Sequence, residues 1–153
     1  MAENRRITDS EIETIHLVRM THLNSAGRLF GGMLMQWIDE VAALVAKKHS
    51  RMNITTVSID HLQFLRGAYL DDAVVLQGKV TYVGRTSMDV KVETYIEDKE
   101  GIRTLINCAY LTEVALDKNG KPAQVPGLLL ETEEDKKEWA KGERRRELRT
   151  LHG

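Results

Sequence analysis

The stretch Asn24–His49, NSAGRLFGGMLMQWIDEVAALVAKKH, decides how the rest of this chain is read. It opens with a glycine-rich loop (Gly27, Gly31, Gly32) and then runs from Met33 to His49 with no proline and no further glycine. That is room for a helix of about four to five turns. Met33, Leu34, Trp37, Ile38, Val41, Leu44 and Val45 cover more than one of its faces. Such a helix is expected to bury itself against something broad, most simply a sheet.

One ionisable residue breaks the apolar pattern. Asp39 falls mid-helix, and its helical neighbours at i−4, i+3, i+4 and i+7 are Met35, Ala42, Ala43 and Ala46. Small side chains there leave room above the carboxylate for another chain or a ligand. Two readings stand side by side. Asp39 is the edge of a polar face made by Gln36, Glu40 and Lys47, or it is a carboxylate placed where partial burial tunes its pKa for chemistry. The Gly31–Gly32 pair also reads two ways, as a tight turn or as a source of unpaired N–H groups that suit a developing negative oxygen.

Composition narrows the class. A chain of 153 residues with a formal net charge of −1 is one domain's worth, and nothing in the balance points to nucleic acid. The single cysteine, Cys108, excludes an internal disulfide and fits a reducing compartment; its apolar, strand-like company suits a structural thiol better than a nucleophile. The five histidines are scattered without ligand spacing, so no metal site is expected. No apolar run approaches bilayer-spanning length, and MAENRRITDSE lacks a signal-peptide core. The expected setting is cytoplasmic, with no membrane partner.

In chain order, residues 1–10 read as a frayed polar terminus and Ile12–Met20 as a first strand with Ile15, Leu17 and Met20 inward. After the helix, Ile54–Leu65 reads as a long strand with Val57 and Ile59 on one face. Its apolar parity changes between Ile59 and Leu62, which implies a bulge. Ala73–Val83 and Ser87–Glu97, joined by Gly84-Arg85-Thr86, give the strongest hairpin signal, and Ile102–Leu116 adds a further long strand. The expected fold is α+β, an antiparallel sheet of about five long strands wrapped around one central helix.

That domain is expected over residues 11–126, with a charged, largely helical tail over 127–153. In the tail Glu131, Glu133, Glu134 and Asp135 precede Arg144, Arg145, Arg146 and Arg149, the order that a helix dipole favours. Its apolar content is thin. The tail reads as a surface helix or a partner-facing appendage whose arginines form a solvated face, with phosphate recognition as the alternative.

The residues NSAGRLFGGMLMQWIDEVA resemble the signature of hotdog-fold acyl-CoA thioesterases, in particular the cytosolic long-chain acyl-CoA hydrolases. The likeness continues through TTVSIDHLQFL, GRTSMDVKVE and VPGLLLETEEDKKEWAKGE, and so covers about Thr21 to Gly142. It implies a sheet wrapped around a central helix, two protomers paired edge to edge, and a homo-oligomer that is a dimer or a trimer of dimers. It also implies hydrolysis of fatty acyl-CoA to a free acid and coenzyme A at a site shared across the dimer interface, with no cofactor.

By the resemblance, Asn24 of one subunit and Asp39 of the other act together. Asp39 serves as general base or as direct nucleophile, and Asn24 orients the water or the carbonyl. The Gly32 N–H holds the oxyanion, with Gly31 beside it at the substrate. Arg85, Thr86 and Ser87 lie next to the coenzyme A nucleotide, where a guanidinium and two hydroxyls suit phosphate; a solvated hairpin turn is the plain alternative. Some relatives carry an acidic or polar residue where this chain has Arg28 and Leu29. A non-catalytic acyl-CoA binding or sensing module on the same fold is the competing class, and the presence of both Asn24 and Asp39 speaks against it. A hotdog dehydratase would want a histidine acid/base, and this helix supplies Asp39 instead.

Overall fold

A computed structural model describes residues 3–152. Long antiparallel strands need a broad apolar partner, and a single helix provides it. The elements run β1 (Arg5–Arg6), β2 (Ile12–Leu17), α1 (Gly31–Ser50), β3 (Asn53–Phe64), β4 (Ala73–Val83), β5 (Ser87–Glu97), β6 (Arg103–Leu116), β7 (Leu128–Leu129) and α2 (Glu133–His152), with short 3-10 turns at Ile7–Ser10 and Met20–His22. Five strands form one antiparallel sheet in the order β2-β4-β5-β6-β3, so β2 and β3 are its edges. The expected α+β architecture, a curled sheet around a central helix with a second helix at the C-terminus, is the one observed.

α1 is 20 residues long, about 30 Å. It buries Leu34, Trp37, Ile38, Val41, Ala42 and Val45, the i, i+3, i+4 spacing of one apolar stripe, against the inner face of the sheet. Gly78 of β4 lets the helix come close, since a Cβ there would lie 2.6 Å from Val41 Cγ1. Arg51 ends the helix in the left-handed region (φ 59°), its N–H closing on the Lys47 carbonyl at 2.7 Å. Lys47, Lys48 and His49 in the last turn complement the dipole.

β3 carries the expected bulge, a register shift between Asp60 and Gln63, and a second between Thr56 and Ser58. The second shift turns Val57 outward while Ile59 packs on the core, so these two do not share a face. On β2 the expected inward residues Ile15 and Leu17 are exposed, and Met20 beyond the strand is exposed too. The inward positions are Ile12, Thr14 and His16; the His16 ring stacks flat on Trp37 at 4.2 Å. An aromatic stack thus fills a position that an aliphatic was expected to hold.

The frayed N-terminus needs correction from Arg5 onward; its first two residues lie outside the described residues. β1 pairs in parallel with β7 (Arg5 with Leu128, Arg6 with Leu129), and Ile7 is buried. Arg5 also donates to the His49 carbonyl at 3.1 Å, and the His49 ring bonds the Pro126 carbonyl at 2.9 Å.

α2 lies on the outer face of the sheet. Its few apolar residues are supplemented by ions: Glu138 accepts from Lys91 at 2.7 Å and from Tyr110 at 2.8 Å. Arg145 donates twice to Asp89 and lies 4.1 Å over the Tyr110 ring. Arg145 is therefore not part of a solvated arginine face; the carboxylate of a strand residue holds it. Trp139 packs on Tyr82 at a ring distance of 4.5 Å.

Candidate functional site

Asp39 is half-buried on the side of α1 that faces β3. Thr56 Oγ1 lies 2.7 Å from Asp39 Oδ1 and 2.8 Å from Glu113 Oε1. Thr56 and Glu113 are register partners on β3 and β6, so the cluster joins a helix to two neighbouring strands. Glu113 has the same inward parity as Ala109, Leu111 and Ala115 and is fully buried, and its Oε2 has no hydrogen-bond partner among the described residues. Burial pushes its pKa up to about 7; the Thr56 hydrogen bond pulls the other way and the nearby Asp39 carboxylate adds to the rise.

Sequence reasoning missed both Thr56 and Glu113. The signal for Glu113 was present: a carboxylate in an otherwise apolar row of a strand. Thr56, one threonine among several on a long strand, carried no such mark.

Asn24 sits in the loop before α1. Its Oδ1 accepts the N–H groups of Ala26 (3.0 Å) and Arg28 (3.1 Å), and Gly27 takes a positive φ of 77° to close the turn. The two N–H donors fix which end of the amide is oxygen. Its NH2 makes no hydrogen bond among the described residues and is free to donate outward.

At the start of α1, Phe30 provides no side-chain cap, and its carbonyl accepts from Met33 (3.0 Å) and Leu34 (3.1 Å). The N–H groups of Gly31 and Gly32 have no partner among the described residues, as expected of the first helical turn. Neither residue has a side chain of its own, and the space a Cβ would take at Gly32 is held by the Phe30 ring. Asn24 and Gly31 line one shallow cleft with Leu34, Phe64, Leu65 and Arg66.

Asp39 does not line that cleft; it lies about 10 Å along the axis from Gly32 at the rise of an α-helix. Within one chain the structure thus places Asn24, Gly31 and Gly32 together, and Asp39 separately with Thr56 and Glu113. The hairpin Gly84–Ser87 is at Asp39's end: Ser87 and Met88 pair with Val114 and Glu113. The Arg85 and Thr86 carbonyls accept from Val125 (2.9 Å) and Ala115 (3.0 Å), so the turn is pinned by its backbone while the Arg85 side chain is exposed.

Burial pushes the Cys108 thiol up, away from nucleophilic thiolate. No group of three or more His, Cys, Asp or Glu side chains that could hold a metal is found among the described residues. No helix among them is long and apolar enough to cross a membrane.

Comparison with known proteins places this geometry. The thioesterase superfamily model matches residues 26–102, which include Gly31, Gly32, Asp39, Thr56 and the Arg85–Ser87 turn. An uncharacterised acyl-CoA thioester hydrolase of Bacillus subtilis is 40% identical over 134 residues, 87% of this chain and 78% of that protein. The cytosolic acyl coenzyme A thioester hydrolase of Rattus norvegicus is 32% identical over 94% of this chain, which spans only 38% of that longer protein.

Among solved structures, a hexameric acyl-CoA thioesterase without ligand superposes with a TM-score of 0.93 at 38% identity, covering 98% of this chain and 97% of that one. The acyl-CoA hydrolase of Staphylococcus aureus with butyryl coenzyme A and coenzyme A superposes at 0.90 and 34% identity, covering 97% and 91%. Other structures of that enzyme carry alanine in place of one asparagine, one aspartate or one threonine. With the curled sheet around α1 and matches of this extent, the chain belongs to the thioesterase superfamily and has its hotdog fold.

Proposed function

We propose that this protein hydrolyses acyl-CoA to a free acid and coenzyme A, at a site completed by two copies of the chain. The observation that carries the proposal is the half-buried, mid-helix Asp39, held by Thr56 beside an unpaired sheet edge. The asparagine, aspartate and threonine replaced in the S. aureus hydrolase have the same spacing along that chain as Asn24, Asp39 and Thr56 have here.

The two-copy site follows from the edge strand. β3 exposes its outer backbone edge together with Val57 and Phe64, and it runs antiparallel to α1, with Phe64 near Gly31 and Thr56 near Asp39. Two β3 strands paired antiparallel bring the Gly31 end of one copy toward the Asp39 end of the other. Hexameric relatives support a further assembly of three such dimers.

Asp39 takes a proton from water on the carboxylate oxygen that Thr56 leaves free. The water oxygen bonds to the thioester carbon. The Asn24 amide and the N–H groups of Gly31 and Gly32 donate to the carbonyl oxygen as it becomes negative, the C–S bond breaks, and the proton passes to the departing thiolate. Arg85, Thr86 and Ser87 hold the nucleotide phosphates. Residues 11–126 carry this chemistry and 127–153 brace the sheet behind it. Water is the only co-reactant, so the reaction calls on no cofactor. The cytosolic rat relative supports a cytosolic setting.

The test is thiol release from acyl-CoAs of graded chain length by wild type, Asp39→Ala and Asn24→Ala. Both variants are expected to lose activity by a factor of about 10²–10³ or more, and to regain part of it when their subunits are mixed. Full turnover by Asp39→Ala removes the proposed base. Two dead variants that never complement remove the shared site. One turnover in isotope-labelled water tests for the anhydride route: label in Asp39 marks an anhydride opened at the Asp39 carbon. General base catalysis puts label in the released acid alone, as does an anhydride opened at its acyl carbon.

A further inference from the structure

We propose that Glu113 is a positioning residue for hydrolysis: it keeps a proton and, through the Thr56 hydroxyl, fixes the direction of the Asp39 carboxylate. The inference rests on the reading of Asp39 as the residue that activates water.

The argument is one of hydrogen counting. Thr56 Oγ1 is within 2.8 Å of an oxygen from each of two carboxyl groups, and a hydroxyl has a single hydrogen to give. Were both groups ionised, one would face the Thr56 lone pairs with nothing between, and fully buried Glu113 has no water to make up for it. The contacts are satisfied when one carboxyl keeps a proton and donates to Thr56 while Thr56 donates to the other. Glu113 is fully buried and Asp39 only half-buried, so the proton belongs on Glu113 and the charge on Asp39.

Glu113 Oε2 agrees with this, since it has no donor among the described residues, and a buried carboxylate would require one. The groups that face Glu113 are few. α1 contributes the Asp39 carboxylate, β3 the Thr56 hydroxyl, and the register partner on β5 is Met88, which does not titrate. The rise in its pKa to about 7 leaves the proton in place through mildly acidic conditions and makes neutral pH the point at which it begins to be lost.

The consequence lies in the chemistry of its neighbour. A neutral Glu113 puts no second negative charge beside Asp39, whose function requires the ionised form. The relay Glu113 to Thr56 to Asp39 occupies Oδ1 and leaves Oδ2 as the one oxygen able to accept a proton from water. As pH rises through about 7, Glu113 ionises, competes for the Thr56 hydrogen and releases the Asp39 rotamer.

The experiment compares kcat, KM and pH profiles for wild type, Glu113→Gln, Glu113→Leu and Asp39→Ala, with melting temperatures for each. Wild-type kcat is expected to fall as pH rises through about 7. Glu113→Leu is expected to lose about 10–100-fold in kcat with little change in KM, because the base is misaimed and not removed. Glu113→Gln, whose amide donates as the protonated acid does, recovers most of that loss and lacks the fall near pH 7. Infrared difference spectra between wild type and Glu113→Gln are expected to show a protonated-acid C=O stretch that titrates over the same range.

Wild-type kcat and pH profile in Glu113→Leu, or Glu113→Gln as inactive as Glu113→Leu, overturns the inference while leaving Asp39 in its role. Full turnover by Asp39→Ala overturns the reading beneath it instead. If Glu113→Leu does not fold, the Glu113→Gln profile and the infrared band decide: an unchanged alkaline limb and no protonated acid in the wild type overturn the relay.

Discussion

Glu113 and Asp39 share one hydroxyl, Glu113 Oε1 at 2.8 Å and Asp39 Oδ1 at 2.7 Å from Thr56 Oγ1. A strand residue buried in an apolar row is thereby linked to a half-buried residue of the central helix, with the Thr56 hydroxyl as the bridge between them.

Replacing that hydroxyl is expected to separate turnover from binding. Thr56→Ala removes the donor to Asp39 and lowers kcat by about 10–100-fold, with the larger loss below pH 7, where the wild-type relay is intact, and a smaller one above it. Thr56→Ser keeps the oxygen and retains most of the rate. Steady-state kinetics of the two variants check this.

Glu113 also ties stability to pH. Its pKa rises from 4.5 in the unfolded chain to about 7 in the fold, so between those values the unfolded state has lost a proton that the folded state keeps. Folding stability from this group is full below 4.5, declines as pH rises, and levels off above about 7. The change is of order 2–4 kcal/mol. Glu113→Gln cannot titrate, so its melting temperature relative to wild type is expected to climb across that window in a thermal melt series.

Gly142 of α2 is placed so that a Cβ would run into the Cβ and ring of Tyr82. In an isolated helix alanine would gain about 1 kcal/mol over glycine. Against that gain stands an overpacking cost of about 1–3 kcal/mol or more, because the atoms it meets lie at the base of the Tyr82 side chain and have little freedom to move. Gly142→Ala is therefore expected to lower the midpoint of urea unfolding, and Tyr82→Ala to offset part of the clash.

Lys91 and Glu138 form a buried pair, with side-chain exposures of 13% and 1%. Burial opposes both charges. The hydrogen bonds from Lys91 and Tyr110 nonetheless lower the Glu138 pKa, and the bond to Glu138 raises that of Lys91. Glu138→Leu alone strands the ammonium and is expected to cost about 3 kcal/mol; adding Lys91→Met returns most of it. Chemical denaturation of the singles and the double reads this directly.

Arg85 projects from a turn whose carbonyls are already engaged, so its side chain can be removed without disturbing the hairpin. Arg85→Ala is expected to raise KM for acyl-CoA several-fold at low salt with kcat little changed. The difference is expected to shrink as ionic strength rises.

Much of this molecule was legible in its residues. The apolar-rich segments 73–83 and 87–97 around one short turn and the glycine-led apolar run to His49 were enough for strands, hairpin and helix, because no proline interrupts any of them. β2 was harder. Its inward row is Ile12, Thr14 and His16, and only the stack on Trp37 makes a histidine an acceptable core residue. α2 was misjudged in the same way: the Arg145–Asp89 pair lies 56 residues apart in sequence, and charge order along a helix does not reveal a partner on a strand. Asn24 and Asp39 were found through a motif. Glu113 escaped because a glutamate in a strand reads as surface until the parity of Ala109, Leu111 and Ala115 is counted through it.

The parallel clasp of Arg5–Arg6 on Leu128–Leu129 has a consequence for how the protein is made. Arg5 and Arg6 have no strand partner until Leu128 and Leu129, on the far side of the whole sheet in sequence, have been made. The sheet and its helix can assemble beforehand, and the Ile7–Ser10 turn can dock on α1 and β4 as they form, so fastening Arg5–Arg6 to Leu128–Leu129 is a late, long-range event.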